Sequence, residues 1–187
     1  TNGSISLQDS TVIPKSFSSA TLPINAEIKQ LPFLPQPAAM SYPVGGIPSA
    51  ISALPGIGSA GTLAATVASN IAGFSPAFVP GQSGFIESAA LKEPISILGS
   101  SRITVRVTST TGSATLFFSL VTKSPSGAIT QPNGIVAPIK ISNIPANGKT
   151  ITVDLPAVIL DAAIGDKIAV GISSTDQGYE LPKAPAF

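Results

Sequence analysis

Alternation of apolar and polar side chains is the feature that most constrains the fold of this chain. Ile103, Val105 and Val107 alternate with arginine and threonine, and the same period of two recurs over residues 150–155 and 167–172. Successive side chains of a β-strand point to opposite faces, so each run predicts a strand with one buried face. Leu116–Val121 is apolar at every position except Ser119, which predicts a central strand covered on both sides.

Glycine-containing dipeptides separate these runs. They are Thr111-Gly112, Ser126-Gly127, Asn133-Gly134, Asn147-Gly148 and Ile164-Gly165. Such dipeptides are typical of tight turns whose backbone favours glycine. Short strands separated by turns predict an all-β, antiparallel jelly-roll β-sandwich over residues 81–187.

Residues 1–80 have a different character. No charged residue occurs from Gln30 to Ile86, and frequent prolines favour irregular, extended backbone. Within this half, Gly61–Phe74 is rich in alanine and predicts a short helix, while Gly3–Leu7 alternates and predicts a first strand of the sandwich. We expect this Pro/Gly/Ala-rich half to pack on the β domain; a mobile linker and a membrane- or partner-contacting segment are the alternatives.

Ala169 and Gly171 indicate where such packing would occur. They alternate with Ile168, Val170 and Ile172, so they lie on the other face of the same strand. Small residues allow another part of the chain to approach closely. We expect this face to be covered by the Pro-rich half, with the docking side chains drawn from Tyr42, Phe74, Phe78, Phe85 and Tyr179.

Composition excludes several classes of function. The chain has no Cys and no His, which removes disulfides, thiolate metal sites and the usual general base of a serine nucleophile. Neither a GxSxG elbow nor an SxxK motif is present, so we expect no enzymatic activity from this chain. A net charge of +1 gives no basis for nucleic-acid binding. Only 10% of residues are charged, which favours a secreted or cell-envelope location.

A glycine-rich motif occurs at Gly56–Gly61, where GIGSAG matches the GxGxxG pattern of dinucleotide-binding folds. That pattern requires a preceding strand and an acidic residue about 20 positions later. Pro55 and the uncharged sequence that follows supply neither. We interpret the motif as a turn and expect no cofactor.

Candidate contact residues fall into three groups. Arg102 and Arg106 share the polar face of one predicted strand and could dock an acidic partner surface; solvated side chains are the alternative. The polar run 173–176, with Ser174 and Asp176, could contact a carbohydrate or peptide together with Tyr179, or simply form a turn. A third set could bind Ca²⁺ or be solvated loop acids: Asp154, Asp161 and Asp166.

An ordered series of segments over residues 81–187 resembles a known family. The segments are GQSGFIESAALKEPISILGSSRITVRV at 81–107, ATLFFSLVTKSPSGAITQPNGIVAPIKI at 114–141 and ITVDLPAVILDAAIGDKIAVGISSTDQGYELP at 151–182. In order and spacing they resemble the C-terminal, non-catalytic jelly-roll domain of X-Pro dipeptidyl-peptidase and cocaine-esterase-like serine hydrolases. The resemblance implies a galactose-binding-like fold.

The resemblance also implies a function. In that family an α/β-hydrolase domain, upstream in the same chain, carries the catalytic triad. We therefore expect this chain to be an accessory domain that shapes substrate access and stabilises that catalytic domain. Two alternatives remain: a stand-alone carbohydrate- or surface-binding β-sandwich, and an envelope- or export-associated interaction module. We expect no membrane contact for the β domain.

Overall fold

The computed structural model describes residues 5–8, 16–19, 30–34, 40, 78, 83–176 and 179. These residues form eleven strands and one turn of 3-10 helix at Pro132–Gly134, and no α-helix. The strands are β1 (Ile5–Gln8), β2 (Ser16–Ser19), β3 (Ser83–Glu87), β4 (Ile95–Gly99), β5 (Arg102–Val107), β6 (Ala114–Lys123), β7 (Ile129–Thr130), β8 (Ala137–Ile141), β9 (Lys149–Asp154), β10 (Val158–Ala162) and β11 (Lys167–Ser173). The predicted all-β class is confirmed.

A five-stranded antiparallel sheet forms one layer of the domain. β11 pairs with β3 on one side and with β6 on the other, and β6 in turn pairs with both β7 and β8. β6 therefore lies in the interior of the sheet. Its residues from Leu116 to Thr122 are all buried, which confirms the predicted central strand covered on both faces.

Two smaller antiparallel pairs contribute to the same core. β5 pairs with β9, and β4 pairs with β10. Ile103 and Val153 from the first pair and Leu160 from the second join Phe118 and Ile168 of the five-stranded sheet in one buried cluster. This arrangement is that of a β-sandwich, in which apolar faces of antiparallel sheets meet. The jelly-roll connectivity stays a prediction.

The predicted strand registers agree with the observed burial. In β5, Ile103 is buried while Arg102, Thr104 and Arg106 are exposed. All five glycines of the predicted turns have positive φ, the left-handed region that favours glycine: Gly112, Gly127, Gly134, Gly148 and Gly165.

β10 is one of the strands that the pattern analysis did not identify. Val158–Ala162 has Val158, Leu160 and Ala162 buried and pairs in register with β4. Its apolar run is short and lacks strict alternation, because Ile159 on the second face is also apolar. Short apolar runs of this kind do not distinguish strand from helix by periodicity alone.

The N-terminal half is described only in part. A strand occupies the place predicted at Gly3–Leu7, but β1 pairs with β2 in a two-stranded sheet, not with a described strand of the sandwich. The nearby β2 offers a local partner, which lowers the entropy cost of pairing. The helix predicted at Gly61–Phe74 lies outside the described residues, and the boundary at residues 80/81 stays a prediction. Among the described residues, no helix is long and apolar enough to cross a membrane.

Candidate contact surfaces

Both predicted arginines lie on an exposed polar rib formed by β5 and β9. Arg102 Nε donates to Asp154 Oδ1 at 2.5 Å, across the pair of strands. Further along, the Thr104 and Thr152 hydroxyls are 3.2 Å apart. Arg106 donates to the backbone carbonyl of Asn147. The two guanidinium groups are therefore held along one exposed face of the β5–β9 pair.

Arg102 and Asp154 each stabilise the charged form of the other. The hydrogen bond from Arg102 lowers the pKa of Asp154, and the same bond raises the pKa of Arg102. Both side chains are about two-thirds exposed, at 69% and 65%. Exposed ion pairs contribute little to folding because water competes for both partners. The Arg102–Asp154 pair therefore contributes little to holding the sandwich together, and the polar side chains of the rib remain available at the surface.

The second predicted group lies after the end of β11. Ser174 and Thr175 are buried, and each already has a polar or electrostatic partner, as has Asp176. The carbonyl of Asp176 accepts the Tyr179 N–H at 3.2 Å, which places these two residues in one turn. Tyr179 is 45% exposed, and its ring packs on Phe117 with the centroids 5.2 Å apart. Tyr179 is thus the exposed member of this group.

A further polar group lies around Glu87 on the five-stranded sheet, and it was not identified from the sequence. Glu87 is 8% exposed and accepts hydrogen bonds from Lys123 Nζ at 2.8 Å and Lys167 Nζ at 2.9 Å. Lys123 Nζ also lies 5.9 Å from the ring centroid of Phe85. One buried carboxylate thus holds two half-exposed ammonium groups, which leaves a net positive charge at this edge of the sheet.

Two opposing effects act on the pKa of Glu87. Burial raises the pKa, but the hydrogen bonds and charges of Lys123 and Lys167 outweigh it and hold the pKa below its ordinary range. Glu87 therefore stays ionised at neutral pH. Sequence patterning could not find this group, because its members come from β3, β6 and β11 and only the strand pairing brings them together.

The hypothesis of a Ca²⁺ site is not supported. Asp154 lies on β9 with Arg102, Asp161 on β10 accepts the Ser96 hydroxyl at 2.7 Å, and Asp166 accepts the Ala163 N–H at 2.9 Å. They lie on different elements and do not converge, and no group of three potential metal ligands occurs among the described residues.

Fold and surfaces together define a β-sandwich domain with exposed polar and charged side chains on β5, β9 and around Glu87. The protein-family model described as "X-Pro dipeptidyl-peptidase C-terminal non-catalytic domain" matches residues 80–186. The match covers more than half of the 187 residues. The chain belongs to this family, as its sequence resemblance predicted.

Two of the solved structures that match the chain belong to larger proteins. An alpha-amino acid ester hydrolase superimposes with a TM-score of 0.45 and 13% identity, over 57% of this chain and 23% of that chain. An aminopeptidase from a marine sediment archaeon, Thaumarchaeota archaeon, gives a TM-score of 0.46 and 13% identity, over 98% of this chain and 34% of that chain. The matches thus span about a quarter to a third of those proteins. No curated protein matches the chain.

Proposed function

We propose that this chain is the accessory domain of a serine hydrolase of the X-Pro dipeptidyl-peptidase class. The observation that carries the proposal is membership of a family whose domain is C-terminal and non-catalytic. Catalysis would then reside in an α/β-hydrolase domain elsewhere in the parent protein. The absence of His from the sequence is in keeping with this division of labour.

The accessory domain would act by stabilising the catalytic domain and shaping access to its substrate pocket. The β5–β9 rib is suited to the contact, since Arg102 and Arg106 are exposed side chains on which the folding of the strand pair should depend little. Interfaces between domains of one chain are typically polar, and arginine is enriched in protein contacts. The rib would therefore meet an acidic or carbonyl-rich surface of the hydrolase domain.

The test compares the same variants in two settings. Arg102→Ala combined with Arg106→Ala is introduced into the isolated chain and into the parent protein expressed from the natural reading frame. The proposal expects a small change of Tm in the isolated chain and a larger fall in the parent, with a loss of kcat/KM on Xaa-Pro or ester substrates. Lys140→Ala, at an exposed position of β8, is the matched control and should change neither Tm nor kcat/KM.

Two results would contradict the proposal. If the arginine variants behave alike in both settings, the rib is not the interdomain surface. If a parent protein from which all 187 residues have been deleted keeps its full stability and kcat/KM, the accessory role itself is wrong.

A carbohydrate or peptide ligand is the second candidate function, and Tyr179 is the observation that favours it. Its exposed ring is braced from behind by Phe117, which is the geometry of a stacking platform. Tyr179→Ala should then abolish glycan or peptide binding by the isolated chain. A wild-type chain that binds nothing on glycan and peptide arrays would remove this candidate.

A further inference from the structure

The outer face of the five-stranded sheet points away from the main core, yet its side chains near the middle of β6 and β11 are buried. Val121 and Ala169 on this face are fully buried, and Ser119 and Ser173 are nearly so. A sheet face that is buried within one chain is covered by another part of that chain. Phe78, from the segment before β3, is one residue that covers it, and it is itself only 7% exposed.

A notch in this face receives the Phe78 ring. Gly171 in β11 lies between Ser119 of β6 and Phe85 of β3. A methyl group built on Gly171 would lie 2.5 Å from Cζ of Phe78 and would also collide with its Cε1. The ring tip therefore rests directly on the glycine, and any side chain at position 171 would displace it.

The walls of the notch are apolar and aromatic. Phe78 packs with Val121, Ile129 and Ala169 in a buried cluster separate from the main core. The Phe85 ring lies 4.8 Å from the Phe78 ring at an angle of 59°, a tilted arrangement that favours an aromatic occupant. The notch thus selects for a ring through both its shape and its neighbours.

The Ser119 hydroxyl is a polar group in the notch that has no hydrogen-bond partner among the described residues. Its Oγ is buried and lies 3.3 Å from the methyl position on Gly171. If the ring leaves, this hydroxyl regains water, which offsets part of the apolar contact that is lost. The ring can therefore leave the notch at a lower free-energy cost than a wholly apolar contact would impose.

We propose that the notch above Gly171 is an aromatic docking site, filled in this chain by Phe78, and that this contact anchors the uncharged segment where it returns to β3. The segment has a second attachment at the other end of β3. Phe33 bridges to Ser88 there, and the Leu34 N–H donates to the Glu87 carbonyl at 2.9 Å. The inference goes beyond the hydrolase proposal and does not rest on it.

Limited proteolysis of the 187-residue chain tests the anchor. Elastase is the suitable protease, because no Lys or Arg lies between Gln30 and Ile86 for trypsin to cut. Phe78→Ala and Gly171→Ala should each raise the rate of cleavage before Ser83 by about tenfold or more, since cleavage follows the population of the open form. The fragment that contains β3 to β11 should survive.

The double variant makes the test specific to the contact. Once Phe78 is alanine, a methyl group at 171 has room, so the double variant should be cut no faster than Phe78→Ala alone. If Gly171→Ala does not fold, Phe78→Ala in the same chain should restore folding. Ile103→Ala, in the main core, is the control that should lower Tm without speeding this cleavage at 25 °C.

Three results would overturn the proposal. One is a Phe78→Ala chain that is cut at the wild-type rate. Another is a double variant whose effects multiply, which would make the two residues independent. The third is first cleavage inside the sandwich, which would mean that loss of the ring unfolds the domain instead of releasing the segment.

Discussion

Val153 and Thr152 are neighbours in β9 with opposite environments. Val153 is 1% exposed and packs in the main core, whereas Thr152 is exposed on the polar rib opposite Thr104. Alternation of side chains along a strand produces this contrast, and the sequence pattern alone predicted it. A single-residue comparison can therefore test the strand register directly.

Val153→Asp should unfold the β domain, whereas Thr152→Asp should be nearly neutral. Burial of an unpaired carboxylate costs several kcal/mol, which is comparable to the stability of a whole domain. At position 152 the new carboxylate stays in water, diagonal to Arg102 and Arg106. Thermal unfolding followed by far-UV circular dichroism measures both, and equal Tm values would mean that the register is wrong.

Glu87 links stability to pH. Its pKa is below the ordinary range in the folded chain, so its ionised form stabilises the fold above the unfolded pKa of about 4.3. As pH falls through the lowered folded pKa, the carboxylate is protonated and that contribution is lost. The wild-type chain should therefore lose stability steeply in acid.

Glu87→Gln should destabilise the chain by about 2 kcal/mol at pH 7, since hydrogen bonds to charged groups contribute in that range. The difference from wild type should narrow as the pH is lowered from 5 to 3. Urea unfolding at each pH measures it, with exposed Glu93→Gln as the control. A difference that stays constant with pH would show that the Lys123 and Lys167 contacts do not depend on the charge of Glu87.

In the turn between β8 and β9, Gly148 is required for two separate reasons, its backbone conformation and the crowding around it. Gly148 has a φ of +85°, and a methyl group there would lie 3.0 Å from both Arg106 Nε and Thr108 Cγ2. Gly127, in the turn between β6 and β7, has a φ of +86° but open space around it. The two turns share the backbone requirement and differ in the crowding.

Alanine substitution at these two turns separates the requirements. Gly127→Ala should cost about 1 kcal/mol, the typical penalty for a side chain in left-handed backbone. Gly148→Ala should cost at least about twice as much, because the methyl group would also lie 3.1 Å from the Val107 backbone carbonyl, which cannot move aside as a flexible side chain can. Chemical unfolding gives both values, and equal costs would contradict the crowding at Gly148.

Elements with a regular period were predictable, and those defined by long-range pairing were less so. β5 and β9 follow from strict alternation, and all five turn glycines could be named from dipeptides. β10 was not identified, because its register is decided by β4, some 60 residues earlier. The Glu87 group was not predicted for the same reason. Its carboxylate and two lysines lie far apart in the sequence, and only the pairing of β3, β11 and β6 brings them together.

For the whole molecule, the sequence pattern and the structure agree on an all-β fold, and the family was indicated by the sequence. The order of motifs over about a hundred residues indicated the family, and the family model confirms it. Pattern analysis also predicted that the small face at Ala169 and Gly171 would be covered, and Phe78 lies there. Which aromatic would dock could not be chosen from five candidates, because that depends on the path of the chain before β3.

We propose that these 187 residues support a catalytic domain whose reactive serine lies outside them. A fluorophosphonate, which phosphonylates activated serine hydroxyls with loss of fluoride, tests it when applied to the protein expressed from the natural reading frame and followed by peptide mapping. We expect one labelled serine in an α/β-hydrolase domain and none among the serines of this chain. A label on any serine of the chain, or a reading frame that encodes no hydrolase domain, would contradict it.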